Sequence, residues 1–371
     1  MTTNHPGTLL DRHITEQIRQ YAFETEKAGS LDPAVLAIIY AQRWFQLLVP
    51  SVFGGAELNL PDTVKLFEAL AWADANTGWC VNLGAGANMF AGYLDAATAG
   101  GIFNSPETCC AGSGAISGKA RQTEGGYILS GRWKYASGAN HATHFTANAT
   151  ILNEEGLPIM TEGQPLFRSF IVPAQQIINH KNWNAIGLKA TSSNDFEVQE
   201  LFVPEACTFT LLKPSAFANG PLYKFPFSQL AIVNMTCMIT GIAFHFMDLY
   251  QELAMHKKPL HSDKLLQYNA TANHIYETAA NRFLDARTKM YEALQSVWDI
   301  YEQGRQADEQ ALQQLSYTCR KATEASRTLI NELFPLCGMS ILDPATELNK
   351  VWRDAMTAGQ HYLLSPLFQQ L

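Results

Sequence analysis

The sequence predicts an α+β fold, mostly α. It divides into an N-terminal helical domain (residues 1–105), a central antiparallel, barrel-like β domain (106–212) and a C-terminal four-helix bundle (213–371). Two observations carry this. The last third holds long apolar stripes at helical spacing, and the middle holds short runs punctuated by Gly, Asn and Ser. A third is the series of helix start and stop signals before residue 105.

In the N-terminal block, LLDRHITEQIRQYAFETEKAG reads as helical and ends on Gly29, a C-cap residue. DPAVLAIIYAQRWFQLL opens with Asp32 as a cap and Pro33 in the first turn, and Pro50 and Gly54-Gly55 break it. LPDTVKLFEALAWADANTGW reads as a further capped helix. The apolar, small-residue stretch GWCVNLGAGANMFAGYL suits close packing or close approach to a flat ligand.

In the β block, GGYILSGRW reads as a hairpin with turns at Gly125-Gly126 and Ser130-Gly131. Trp133 gives a broad rigid face, and Ser137-Gly138 brings a hydroxyl and a bare backbone to one point. SFIVPAQQI and NDFEVQELFVP supply further strands. After the Pro-, Gly- and aromatic-rich LLKPSAFANGPLYKFPF, helices return. Leu312, Leu315, Cys319, Ala322, Ser326, Leu329 and Leu333 form one bundle seam, and Leu265, Tyr268, Ala272, Ile275, Ala279, Phe283, Ala286 and Met290 form a second.

Composition excludes several function classes. A net charge of −8, with no Lys/Arg-rich run, argues against nucleic acid. The seven cysteines form no C-x-x-C pair and the N-terminus is polar, so a cytoplasmic protein without disulfides is expected. No apolar run of about 20 residues is read as a membrane span. His141 and His144 form H-x-x-H, but strand residues three apart face opposite sides, so no metal site is expected. No G-x-G-x-x-G nicotinamide fingerprint occurs.

VPSVFGGAEL, GGYILSGRWKYASGANHA, GLKATSSNDFEVQELFVPE and VWRDAMTAGQH stand in that order. With this helix–β–helix arrangement the chain resembles the acyl-CoA dehydrogenase superfamily. Within it, the chain is most similar to the flavin-dependent monooxygenases that serve as oxygenase components of two-component systems. That resemblance implies an acyl-CoA dehydrogenase-like fold, a homotetramer, molecular oxygen as co-substrate, and reduced FMN (or FAD) supplied by a separate reductase. It implies a small, largely apolar substrate oxygenated through a C4a-hydroperoxyflavin. His361 matches the family's histidine near the flavin C4a, where it supplies or holds a proton, and Ser137 matches a flavin-contacting serine. Trp133, Tyr135, Gly138, the CCAGSGAISGKA loop with Gly112, Ser113 and Gly114, and the KATSSND loop with Lys189, Thr191 and Ser193 are the implied flavin contacts. Trp79, Asn82 and Asn88 are the implied substrate contacts.

The departures from the family's pattern are also informative. Many dehydrogenases of the superfamily carry a glutamate base about seven residues past the last motif's Arg-Asp. Here His361 and Tyr362 stand there, and no carboxylate occurs between Met356 and Leu371. AMHKKPLHSDKLLQ lacks the Arg and Phe-Gly that meet the FAD pyrophosphate, which favours FMN. The histidine that phenol-hydroxylating relatives carry about eight residues after TGW is replaced by Ala87-Asn88. Two alternatives stay open: an FAD dehydrogenase using another base, and a flavin-fold protein that binds without chemistry. His361 can also be read as a helix-face residue paired with Asp354.

Overall fold

The computed structural model describes residues 5–211 and 216–367, so the expected 212/213 boundary lies outside the described residues. Helices α1 (Arg12–Gln20), α2 (Ala22–Ala28), α3 (Pro33–Ala41), α4 (Leu60–Ala73), α5 (Ala75–Asn88) and α6 (Ala96–Phe103) come first. Strands β1 (Cys110–Thr123), β2 (Gly126–Ala136), β3 (His144–Leu152), β4 (Met160–Thr161), β5 (Gln164–Pro165), β6 (Phe167–Pro173), β7 (Ile178–Asn179), β8 (Asn194–Pro204) and β9 (Thr208–Phe209) follow. The chain continues with α7 (Pro221–Lys224), α8 (Phe227–His256), α9 (Ala270–Glu302), α10 (Glu309–Cys337) and α11 (Glu347–Ala358).

The caps form as read. Asp32 accepts from Ala34 N, and Gly29 ends α2 with φ +67°. The helices are shorter than their sequence patterns. The first stretch breaks at Tyr21, and α3 stops at Ala41 because Arg43 turns left-handed. Asp74 divides α4 from α5: its backbone is extended and its side chain caps α5 at Thr77 N.

Seven strands form one sheet in the order β7-β8-β2-β1-β3-β6-β9. One pairing departs from the antiparallel expectation: β1 and β3 run parallel. After the β1–β2 hairpin, residues 137–143 cross the start of β1, where Thr143 N and His144 N both donate to Cys109 O. That crossing carries Ser137, Gly138 and His141 to the end of the sheet that faces α5. Ser130-Gly131 is not a turn, because β2 runs through it. A Cβ on Gly131 or Gly118 would strike the Trp133 indole, so the glycines make room for that ring rather than for a bend.

The helices that precede and follow the sheet in sequence share one apolar core, and the sheet holds a second. α4 lies directly on α8, where a Cβ on Gly241 would meet Glu68 O at 2.4 Å. Buried Glu68 is satisfied there by Arg287 Nε (2.8 Å) and Nη2 (2.6 Å), Tyr291 Oη (2.9 Å) and Thr240 Oγ1 (2.7 Å). Contrary to the sequence reading, α8 is long and apolar enough to cross a membrane, yet its apolar surface is buried against the chain's other helices. It is the central helix of the bundle.

Candidate active site

α5 supplies the centre of the site. One turn after its cap, Trp79 donates its indole N–H to Ser137 Oγ over 3.0 Å. The edge of the same ring meets His361, with centroids 5.9 Å apart and planes at 72°. Ser137 and His361, more than two hundred positions apart in sequence, therefore flank one indole.

Behind Ser137 runs a chain of hydroxyls. Ser137 Oγ lies 2.7 Å from Ser193 Oγ, Ser193 Oγ lies 2.7 Å from Thr191 Oγ1, and Thr191 Oγ1 donates to Leu188 O over 2.8 Å. The two ends fix the direction. An indole N–H can only donate and a carbonyl can only accept, so each hydroxyl passes its hydrogen towards Leu188. Ser137 is left with one unshared pair and no hydrogen to offer a ligand.

The loop that presents these hydroxyls is held by buried ions. Asp354 Oδ1 accepts from Leu188 N over 2.5 Å, Asn76 Oδ1 from Ala190 N over 2.9 Å, and Thr357 Oγ1 from Gly187 N over 3.0 Å. Lys350 Nζ bridges Asp354 (2.9 Å) and Asp74 (2.7 Å). Burial disfavours the Lys350 ammonium, but Asp354 and Asp74 outweigh it and hold its pKa above the ordinary lysine range. Leu188 and Ser192 sit at φ +48° and +45°, a left-handed conformation that these anchors impose.

The Arg-Asp doublet of the last motif thus holds this loop and does not pair with His361. Arg353 binds Glu26 and Ile186 O. α11 ends at Ala358, so the expected continuous face from Asp354 to His361 does not exist. His361 leads a separate turn, and its Nδ1 accepts from Leu363 N at 3.4 Å. Burial lowers its pKa to about 4, so the imidazole is neutral at pH 7.

The other predicted residues divide. Gly138 (φ +84°) donates its N–H to Thr191 O over 2.7 Å, and Tyr135 stands 65% exposed beside Ser137. Both stay close to Ser137 along the chain. Trp133 is not open to a ligand: it is fully buried in the sheet, stacked on Phe196 at 5.0 Å, with its N–H on Asn148 O. Gly112, Ser113 and Gly114 lie in β1 rather than in a turn, and Gly112 is needed because Thr146 leaves no room for a Cβ. The Lys189 ammonium lies 3.6 Å from Glu26 Oε1, within the Arg353 ion group. Asn88 is structural, because it ties Phe45 O, Thr108 O and Cys110 N together. Asn82 donates to Asn234 O over 2.9 Å and keeps a buried, unpartnered Oδ1.

The family "Acyl-CoA dehydrogenase, C-terminal domain" matches residues 234–366. Indole-3-acetate monooxygenase of Acinetobacter baumannii is 25% identical over 318 residues, covering 85% of this chain and 80% of that protein. The flavin-dependent monooxygenase oxygenase subunit HsaA of Rhodococcus jostii is 25% identical over 375 residues, covering 94% of this chain and 92% of its own. Over most of its length the chain is thus similar to flavin-dependent monooxygenases, and its fold is that of the acyl-CoA dehydrogenases. The structure of XiaF from Streptomyces, in complex with FADH2 and glycerol, superposes with a TM-score of 0.87 at 21% identity over 96% of this chain and 93% of XiaF.

Several residues of the candidate site escaped the sequence reading. Lys350, just before the VWRDAMTAGQH motif, and Asp354 within it are an i,i+4 pair, a readable signal. Asn234, the one asparagine of the apolar α8, was also readable. His141 was not. It stacks on Phe45 at 5.8 Å, and both its ring nitrogens are shut off from solvent without a partner.

Proposed function

We propose that this protein is the oxygenase component of a two-component system, taking reduced flavin from a separate reductase and oxygenating a small, largely apolar molecule. The observation that carries this reading is the one-way hydroxyl chain ending at Ser137. A reduced isoalloxazine bears a hydrogen at N5, whereas the oxidised ring has only a lone pair there. A serine that offers an acceptor and no donor suits the reduced form.

The residues present fit such a ring. Tyr135 offers an exposed aromatic surface, Gly138 a bare backbone, and the unpartnered Nε2 of His141 sits 3.1 Å from where a Gly138 Cβ would stand. When bound, the reduced flavin would supply the oxygen chemistry, carried as a C4a-hydroperoxide. Trp79 fixes Ser137, and the partly buried His361 keeps a neutral imidazole beside the ring. Reduced FMN is proposed over FAD because the AMHKKPLHSDKLLQ segment offers no Arg, and its Lys257 is engaged by Ser340 Oγ at 2.9 Å. The dehydrogenase alternative is disfavoured because Asp74 and Asp354, the carboxylates of this network, are both locked onto Lys350.

A homotetramer in the cytoplasm completes the proposal. A groove of about 740 Å³ between α9 and α10 has an alanine floor (Ala286, Ala293, Ala325) and a rim of both charge signs (Lys289, Glu292), which suits a second copy of the same helices. The function is tested by mixing oxygen with the reduced-flavin complex in a stopped-flow spectrometer. Wild type should give a long-lived hydroperoxide absorbance. Ser137→Ala and His361→Ala should shorten its lifetime at least tenfold. Equal lifetimes in all three proteins would contradict the assignment.

A further inference from the structure

The turn that carries His361 is tied down from α10. α11 ends at Ala358, and the next three N–H groups close on its last turn. Gly359 N donates to Ala355 O over 2.9 Å, Gln360 N to Thr357 O over 3.0 Å, and His361 N to Ala358 O over 3.1 Å. The carbonyl of Gly359 is answered from another helix: Arg327 Nη2, on α10, donates to it.

The space at Gly359 suits that guanidinium. A Cβ there would stand 3.2 Å from Arg327 Nε and 3.6 Å from Nη2. Gly359 has φ −61°, which any residue adopts, so the glycine serves the close approach and not the backbone angle. Two turns away on both helices α10 meets α11 again, where the ring centroids of Phe334 and Trp352 lie 5.1 Å apart. Of these two contacts, the guanidinium is the one beside His361.

Arg327 is partly buried, and burial pulls its pKa below the ordinary arginine value. Among the described residues no carboxylate pairs with it, whereas Arg353, Arg287 and Arg282 each hold one. Its counterpart is the negative end of the α11 dipole. The His361 side chain has little of its own to hold it. Its one hydrogen bond, accepted from Leu363 N at 3.4 Å, is long, so the ring depends on its backbone for its place.

We infer that Arg327 is a positioning residue for His361: its bond to Gly359 O fixes the turn that sets the imidazole against the edge of Trp79. The guanidinium acts through the backbone from Gly359 to His361. It remains charged at any working pH, so the brace does not loosen as conditions change. The inference deepens the oxygenase reading and rests on it for what His361 does there.

The test follows two readings. One is the His361 ring signal by NMR in flavin-free protein, identified by its loss in His361→Gln. The other is the hydroperoxide lifetime after reduced flavin meets oxygen. Arg327→Met keeps the stem and removes the guanidinium. It should shift the ring signal and shorten the lifetime several-fold while reduced-flavin affinity holds. Arg327→Lys, which keeps a charge and a donor, should restore much of both. Gly359→Ala displaces the guanidinium without deleting it, and should move both readings the same way at an undiminished melting temperature. An unmoved ring signal in Arg327→Met, an Arg327→Lys no better than Arg327→Met, or a Gly359→Ala like wild type in both readings would overturn the inference and leave the oxygenase reading standing. A wild type that forms no hydroperoxide, while its ring signal still answers to Arg327, would overturn the oxygenase reading instead.

Discussion

The indole N–H of Trp79 lies 3.0 Å from the hydroxyl oxygen of Ser137 and takes one of its two acceptor sites, while the Leu188 carbonyl sets the direction of the hydrogen bonds behind that serine. A donor-only group at one end and the Leu188 carbonyl at the other leave the three hydroxyls between them a single consistent arrangement.

Ser193→Ala removes the acceptor of the Ser137 hydrogen. That hydrogen then becomes available to a ligand, and oxidised flavin should gain affinity relative to reduced. The ratio of the two dissociation constants should change about tenfold, the scale of one hydrogen bond. A purely structural role for Ser193 would weaken both forms alike and leave the ratio unmoved.

His361 should stay uncharged well into the acid range. Burial lowers its folded pKa to about 4, against an ordinary value of 6.5. The folded state therefore binds fewer protons than the unfolded chain between these values. The stability linked to this group is fully present above pH 6.5 and is lost as pH falls towards 4. Histidine ring resonances followed by NMR should show His361 neutral at pH 5.5, and His361→Gln should flatten the acid limb of the stability profile.

Lys350→Met should be among the more damaging substitutions outside the ligand contacts. It strands Asp74 and Asp354, both buried, without their cation, at a cost of about 3–5 kcal/mol. The loss should appear as a lowered melting temperature. Asp354→Asn, which can still accept from Leu188 N, should cost less.

Asn88→Ala should destabilise by roughly 2–4 kcal/mol, since it unties Phe45 O, Thr108 O and Cys110 N. Surviving protein should keep its selectivity among small apolar molecules. A change in selectivity at unchanged stability would restore Asn88 to the substrate site.

What the sequence made legible follows from how local each signal is. Caps at Asp32 and Gly29 and the α10 seam were readable because they depend on neighbours within one or two turns. Breaks at Tyr21 and Asp74 were missed because the helical pattern continues through both, although the Asp74 cap on Thr77 N is itself a local signal. Trp133 was misplaced for a similar reason. Its quoted motif marks the site, yet β2 turns this ring into the sheet, and Tyr135 leaves that face only because its left-handed backbone (φ +65°) breaks the strand alternation. Ser137 and His361 were found through the motifs, but the indole that joins them depends on long-range contacts that no spacing encodes.

The most direct measurement is a paired titration of the purified protein with FMN and with FMNH2 under anaerobic conditions. The hydroxyl arrangement at Ser137 predicts clear preference for the reduced form and a nearly colourless protein as isolated. Tight retention of oxidised flavin, bleached by an acyl-CoA thioester, would contradict it.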